Sequence, residues 1–136
     1  MEIIFNKIES IKRCLKRIRE EYQDDEKNLF NFTKQDSIIL NLQRACELTI
    51  DIGNYIIAKN QYETPKTSRD VFEILAQQGV VSKDISVKLQ RMVGFRNLAV
   101  HDYQELDIEI LKSVIQNHLK DFEHYETQIL TFIQKQ

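Results

Sequence analysis

The stretch IIFNKIESIKRCLKRIREEY, residues 3–22, sets Ile4, Ile8, Ile11, Leu15, Ile18 and Tyr22 at alternating spacings of four and three. That is the signature of an α-helix with one apolar stripe, and it predicts a helix from about residue 3 to about residue 25. Working outward, the same period returns in Ile39, Leu42, Cys46, Ile50, Gly53 and Ile57, a second long helix that starts near Asp36, where Thr33-x-x-Asp36 has the form of a capping box. The segment NQYETPKTSRD holds the only proline and ends in Thr67-x-x-Asp70, so it reads as a loop feeding a short helix over VFEILAQQ, stopped by Gly79. Ser82 caps a fourth helix, KDISVKLQRMVGFRN, with Ile85, Leu89, Met92 and Val93 on one face. From Asp107 onward, Ile108, Leu111, Ile115, Leu119, Phe122, Ile129 and Phe132 predict one further long helix.

The expected fold is therefore all-α, a five-helix antiparallel bundle forming a single domain over residues 1–136. Composition agrees, since one proline and three glycines among 136 residues are too few for an all-β or doubly wound α/β chain. Cys14 and Cys46 fall in helical patterns outside any CxxC or Cys/His cluster, which predicts reduced, buried thiols and a cytoplasmic setting. No apolar run reaches the length of a signal peptide or a membrane span.

A formal charge of −2 argues against holding nucleic acid by bulk electrostatics, because phosphate-driven affinity needs clustered cations. Any such contact has to be local. The run KRCLKRIR, Lys12 to Arg19, carries five basic residues and no acid; it is either such a patch or the solvated face of a helix offset by the following EYQDDE.

The sequence carries no glycine-rich phosphate loop, no HExxH, no GxSxG and no EF-hand, so no cofactor is expected. His118 and His124, six residues apart, lie about 240° apart around a helix and cannot share a metal there. The stretch RNLAVHDY, residues 96–103, is different. On an unbroken helix Arg96 and His101 would stand about 140° apart, so they converge only where the helix ends between them. The polar DYQELD and the cap Asp107 predict that end, with His101 and Tyr103 in the connection. Gly94, costly in a helix interior, would admit another backbone close by, or is simply tolerated near a helix end.

An arginine and a histidine together meet the two needs of RNA cleavage by the adjacent 2′-hydroxyl. The imidazole moves protons near neutral pH, and the guanidinium meets charge on the non-bridging phosphoryl oxygens. The bland alternative is a pair hydrogen-bonding across a helix end.

R-x4-H-x-Y at the end of the fourth helix, here Arg96, His101 and Tyr103, together with the second-helix run LQRACELTIDIGNYI (Leu42 to Ile56), resembles the HepT toxins, minimal HEPN-type proteins paired with the nucleotidyltransferase MntA. The resemblance spans nearly the whole chain. It implies a metal-independent ribonuclease acting as a homodimer, with the motifs of both subunits lining one cleft, Arg96 and His101 as the catalytic pair, and Asn97 positioning them or the substrate. It also implies that an antitoxin similar to a minimal nucleotidyltransferase transfers AMP from ATP to Tyr103, placing a bulky anion beside Arg96 where the RNA phosphate must sit. Lys83, Lys88 and Arg91 are expected to join Arg96 in a local positive field, and Asp102 is placed to raise the pKa of His101. Two other classes remain open on the residues: a non-catalytic helical partner of a minimal nucleotidyltransferase, and a purely structural dimerising bundle.

Overall fold

The computed structural model describes residues 1–101 and 106–136, with side chains described through Asn97 and again from Leu106. Six α-helices and a 3-10 segment make up these residues: α1 (Glu2–Tyr22), the 3-10 turn (Glu26–Phe30), α2 (Phe32–Lys59), α3 (Ser68–Gln77), α4 (Lys83–His101), α5 (Ile108–Asn117) and α6 (Leu119–Gln134). The protein is all-α in its described residues, as its periodicity predicts.

The α1 stripe is buried as read: Ile4, Ile8, Ile11, Leu15, Ile18 and Tyr22 all lie in the core, mostly against α2. The long α2 is the central element, packed on α1, α3 and α4. Its contact with α3 needs Gly53, where a Cβ would fall 2.3 Å from Val71 Cγ1. Nearby, the fully buried Tyr125 of α6 donates its hydroxyl proton to the Thr49 carbonyl at 2.8 Å and meets Phe72 edge-on, the rings 5.9 Å apart at 77°. One hydroxyl thus ties α6 to the middle of α2 through the core.

Several stop and start signals act where the sequence puts them. Thr67 and Asp70 form a reciprocal capping box at the start of α3. Gly79 takes φ 73°, and the Val80 and Gly79 amides close on the Leu75 and Ala76 carbonyls, ending α3 in a Schellman turn. The Ser82 hydroxyl accepts the Ile85 amide, and Asp107 accepts the Glu109 amide.

Four expectations are corrected. The bundle has six α-helices rather than five, because the last long helix breaks at His118, whose φ of −123° leaves the helical range. There Asp121, buried in the first turn of α6, holds His118 Nδ1 at 2.8 Å. The apolar spacing from Leu111 to Leu119 and Phe122 runs through the break unchanged, which is why periodicity alone reads one helix. The second correction is the start of α2, which begins at Phe32 because Asn31, not Thr33, accepts the Lys34 amide. Third, α1 stops at Tyr22, where Gln23 turns left-handed.

The fourth correction concerns the motif. Helix α4 continues through His101 instead of ending between Arg96 and His101. Nothing in NLAV breaks a helix, and each further residue gains a backbone hydrogen bond, so the polar segment after it does not shorten it. Tyr103 and Asp102 lie outside the described residues.

A candidate active cleft around Arg96

Arg96 sits four turns into α4 and turns toward α2. Its side chain is 20% exposed, with Nη1 3.8 Å from Oε1 of Glu47, a carboxylate itself 60% exposed. Nε is buried and has no hydrogen-bond partner among the described residues. A buried N–H left unpaired is costly, and a group still to be bound is one thing that accounts for it. The guanidinium is therefore held loosely at one edge, with donor capacity to spare. Beneath it the Cys46 thiol is pushed up to about 12 by burial, with the Arg96 charge opposing, so this thiol is inert.

Asn97 is exposed on the next position. The helical period sets residue 101 within about 20° of residue 94 and close to the stripe of 97, but about 140° from residue 96. Along one α4, then, Arg96 and His101 occupy different faces. The neighbour of Gly94 is a guanidinium rather than a backbone: Arg69 Nη2, from the start of α3, lies 2.6 Å from where a Cβ would be.

The basic run of α1 divides in two. Arg19 pairs with Glu123 of α6, and Lys12 with Glu9, so this half is offset by acids that lie outside the EYQDDE segment. Arg13 and Arg17 instead join Arg44 of α2 around an open groove of about 440 Å³, with Cys14 at its floor and Glu47 on its wall. None of the three has an ion-pair partner among the described residues. Their charges draw the Cys14 thiol downward against the larger upward push of burial. Because Glu47 lines this groove and also faces Arg96, the positive groove adjoins the motif arginine. Lys83, Lys88 and Arg91 do not reach it. Lys88 pairs with Asp84 at 3.1 Å and shares with Arg91 a separate cleft against α5, while Lys83 lies between α3 and α4.

The model of the family described as ribonuclease HepT-like matches residues 8–129, nearly the whole chain. The chain belongs to the ribonuclease HepT-like family. By class it is a ribonuclease. A Shewanella oneidensis relative named mRNA nuclease HepT is 52% identical over 124 residues, covering 91% of this chain and 93% of its own. The tri-AMPylated HEPN toxin of Shewanella oneidensis, solved in complex with an MNT antitoxin, superposes with a TM-score of 0.91 at 49% identity, over 96% of this chain and 98% of that one. A toxin–antitoxin crystal structure with AMP-PNP gives a TM-score of 0.91 at 50% identity, over 95% and 98%.

In this HepT-like chain, two residues beside the motif escape a reading of sequence alone. Glu47 meets Arg96 from 49 positions away, and Arg69 meets Gly94 from 25 positions away. Only Gly94 carried a signal, a helical glycine asking for a close neighbour. Among the described residues no three His, Cys, Asp or Glu side chains converge as a metal site, and no described helix is long and apolar enough to cross a membrane.

Proposed function

We propose that this protein is the endoribonuclease toxin of a toxin–antitoxin pair, a single-domain cytoplasmic homodimer that cleaves messenger or other RNA without a metal. Arg96 and His101 are the catalytic pair, and Asn97 positions the substrate. The observation that carries this reading is the Arg96 guanidinium, four-fifths buried with Nε unpartnered among the described residues. A structural arginine would spend its donors on the fold; this one keeps them for an anion.

In the proposed reaction, one His101 imidazole accepts the 2′-hydroxyl proton. The freed 2′-oxygen attacks the adjacent phosphorus in line, and the bond to the 5′-oxygen breaks as a second imidazole delivers its proton there. The products are a 2′,3′-cyclic phosphate and a 5′-hydroxyl, and Arg96 neutralises the non-bridging oxygens throughout. The angular separation of about 140° between residues 96 and 101 along α4 favours a site assembled from two chains. A second chain also supplies the second imidazole. For a chain of net charge −2, the groove of Arg13, Arg17 and Arg44 supplies the local attraction for the RNA backbone.

Inhibition follows if the Tyr103 hydroxyl attacks the α-phosphorus of ATP on an MntA-like antitoxin, releasing pyrophosphate and leaving AMP beside Arg96. Its phosphate then competes for the guanidinium and fills the cleft. The Shewanella oneidensis relative, a tri-AMPylated toxin in complex with an MNT antitoxin, supports this step. The test pairs two assays. RNA cleavage in EDTA should persist for the purified protein and vanish in His101→Ala. Intact mass after incubation with an MntA-like nucleotidyltransferase and ATP should rise by whole AMP units, and not at all in Tyr103→Phe. Cleavage surviving in His101→Ala overturns the catalytic assignment, and modification without any nuclease activity overturns the toxin reading in favour of a non-catalytic partner.

A further inference from the structure

The seat of Arg69 on Gly94 has no structural occupation to explain it. Arg69 is exposed at the N-terminal turn of α3, which the Thr67–Asp70 capping box fixes in place. It makes no hydrogen bond or ion pair among the described residues, yet its guanidinium lies where a Gly94 Cβ would be, 2.6 Å from Nη2. A glycine in the middle of a helix is normally a loss, because alanine forms helix better. Here it leaves a notch on α4 in which a cation rests without a carboxylate. The helical period carries that notch along one stripe through Asn97 to residue 101, about 10 Å further along the axis. Arg96 stands on another face, so Arg69 is what sets a cation beside this stripe at Gly94.

We infer that Arg69, seated on Gly94, binds an RNA phosphate flanking the one that is cleaved, and so extends the substrate site along the Gly94–Asn97 stripe of α4. The inference rests on the ribonuclease reading above. Arg69 is too far up the helix to act on the reacting phosphate, so it contributes binding that is equal in ground and transition states. Removing it raises KM and leaves kcat unchanged.

The experiment uses the full-length protein with three variants: Arg69→Gln, Gly94→Ala and the double. Gly94→Ala leaves the arginine chemically intact but fills its seat, and the collision is with the far end of a flexible side chain, so the fold stays and the guanidinium moves. Each single variant should raise KM on a long single-stranded RNA by about fourfold near 0.15 M salt. Each should also lower the slope of log affinity against log salt for a 2′-O-methyl oligonucleotide by about 0.7, the loss of one phosphate contact. The double variant should be no worse than either single, because both remove one contact. Gly94→Ala should melt no lower than wild type, and all four proteins should cleave a dinucleotide, which has no flanking phosphate, at one rate. Unchanged KM and salt slope in Arg69→Gln overturn the inference while leaving the ribonuclease reading intact. So do equal losses on the dinucleotide, or loss of antitoxin binding alone. Failure of wild type itself to cleave either substrate sinks the ribonuclease reading instead.

Discussion

Replacing Arg96 by Met should make the protein more stable and less active, and the size of the first effect follows from the structure. The wild-type side chain leaves Nε buried and unpaired among the described residues, a penalty of about 1–3 kcal/mol. Its one ion pair, at 3.8 Å to a Glu47 carboxylate that is 60% exposed, returns about 0–1 kcal/mol. Methionine keeps an unbranched apolar stem and removes both effects. The net expectation is a gain of about 1 kcal/mol. For a chain of 136 residues the unfolding entropy is about 0.3 kcal/mol/K, so Tm should rise by about 3–4 °C. The assay is urea and thermal unfolding of both proteins at one concentration, since the proposed dimerisation would add a mass-action effect, run beside RNA cleavage. Activity should fall by at least about a hundredfold, the scale of losing one oxyanion-stabilising donor. A Met variant that is destabilised by 1 kcal/mol or more would show that Arg96 serves the fold, and the reasoning from its unpaired donor would fail.

Three further outcomes concern the scaffold. Glu126 of α6 is buried, and burial raises its carboxyl to about 7, above the ordinary 4.5. The folded state therefore holds a proton that the unfolded state releases between pH 4.5 and 7, so stability falls as pH rises through that window; Glu126→Gln should flatten the dependence and gain about 1–2 kcal/mol at pH 8 in urea unfolding. Thr67→Ala removes one half of the α3 capping box and should cost about 1 kcal/mol. Gly53→Ala drives a Cβ to 2.3 Å from Val71 Cγ1 and should cost about 1–3 kcal/mol, read from the urea midpoint, because α3 has to move off α2.

What the sequence disclosed of the fold is what local physics decides. The stripe from Ile4 to Tyr22, the box at Thr67 and Asp70, the left-handed stop at Gly79 and the caps at Ser82 and Asp107 each depend on residues within one or two turns. The break at His118 stays hidden because it leaves the apolar register intact, and the buried Asp121 that holds the His118 ring there is visible only once the core is assembled. The 3-10 segment before α2 is similar: Asn28 donates to the Tyr22 carbonyl and Gln35 to the Leu29 carbonyl, bonds that no period announces. At the site, the roles of Arg96, Asn97, His101 and Tyr103 are legible only through the resemblance to HepT toxins, while Gly94 by itself asks for a close neighbour. That the neighbour is Arg69, and that Arg96 meets Glu47, are facts of packing between helices distant in sequence. The continuation of α4 through His101 was misjudged because a polar segment beyond a helix says little about where the helix stops.

The central claim is that the RNA's own 2′-hydroxyl is the nucleophile, positioned by a chain that needs no metal. The most direct measurement uses one RNA in two forms, identical except for a single 2′-deoxy residue on the 5′ side of the main cut, incubated with the protein in EDTA and analysed for fragment ends by mass spectrometry. The account predicts that the cut disappears at the deoxy position alone, while every other cut leaves a 2′,3′-cyclic phosphate and a 5′-hydroxyl. Cleavage that continues at the deoxy position, or fragments ending in a 3′-hydroxyl and a 5′-phosphate, would contradict it.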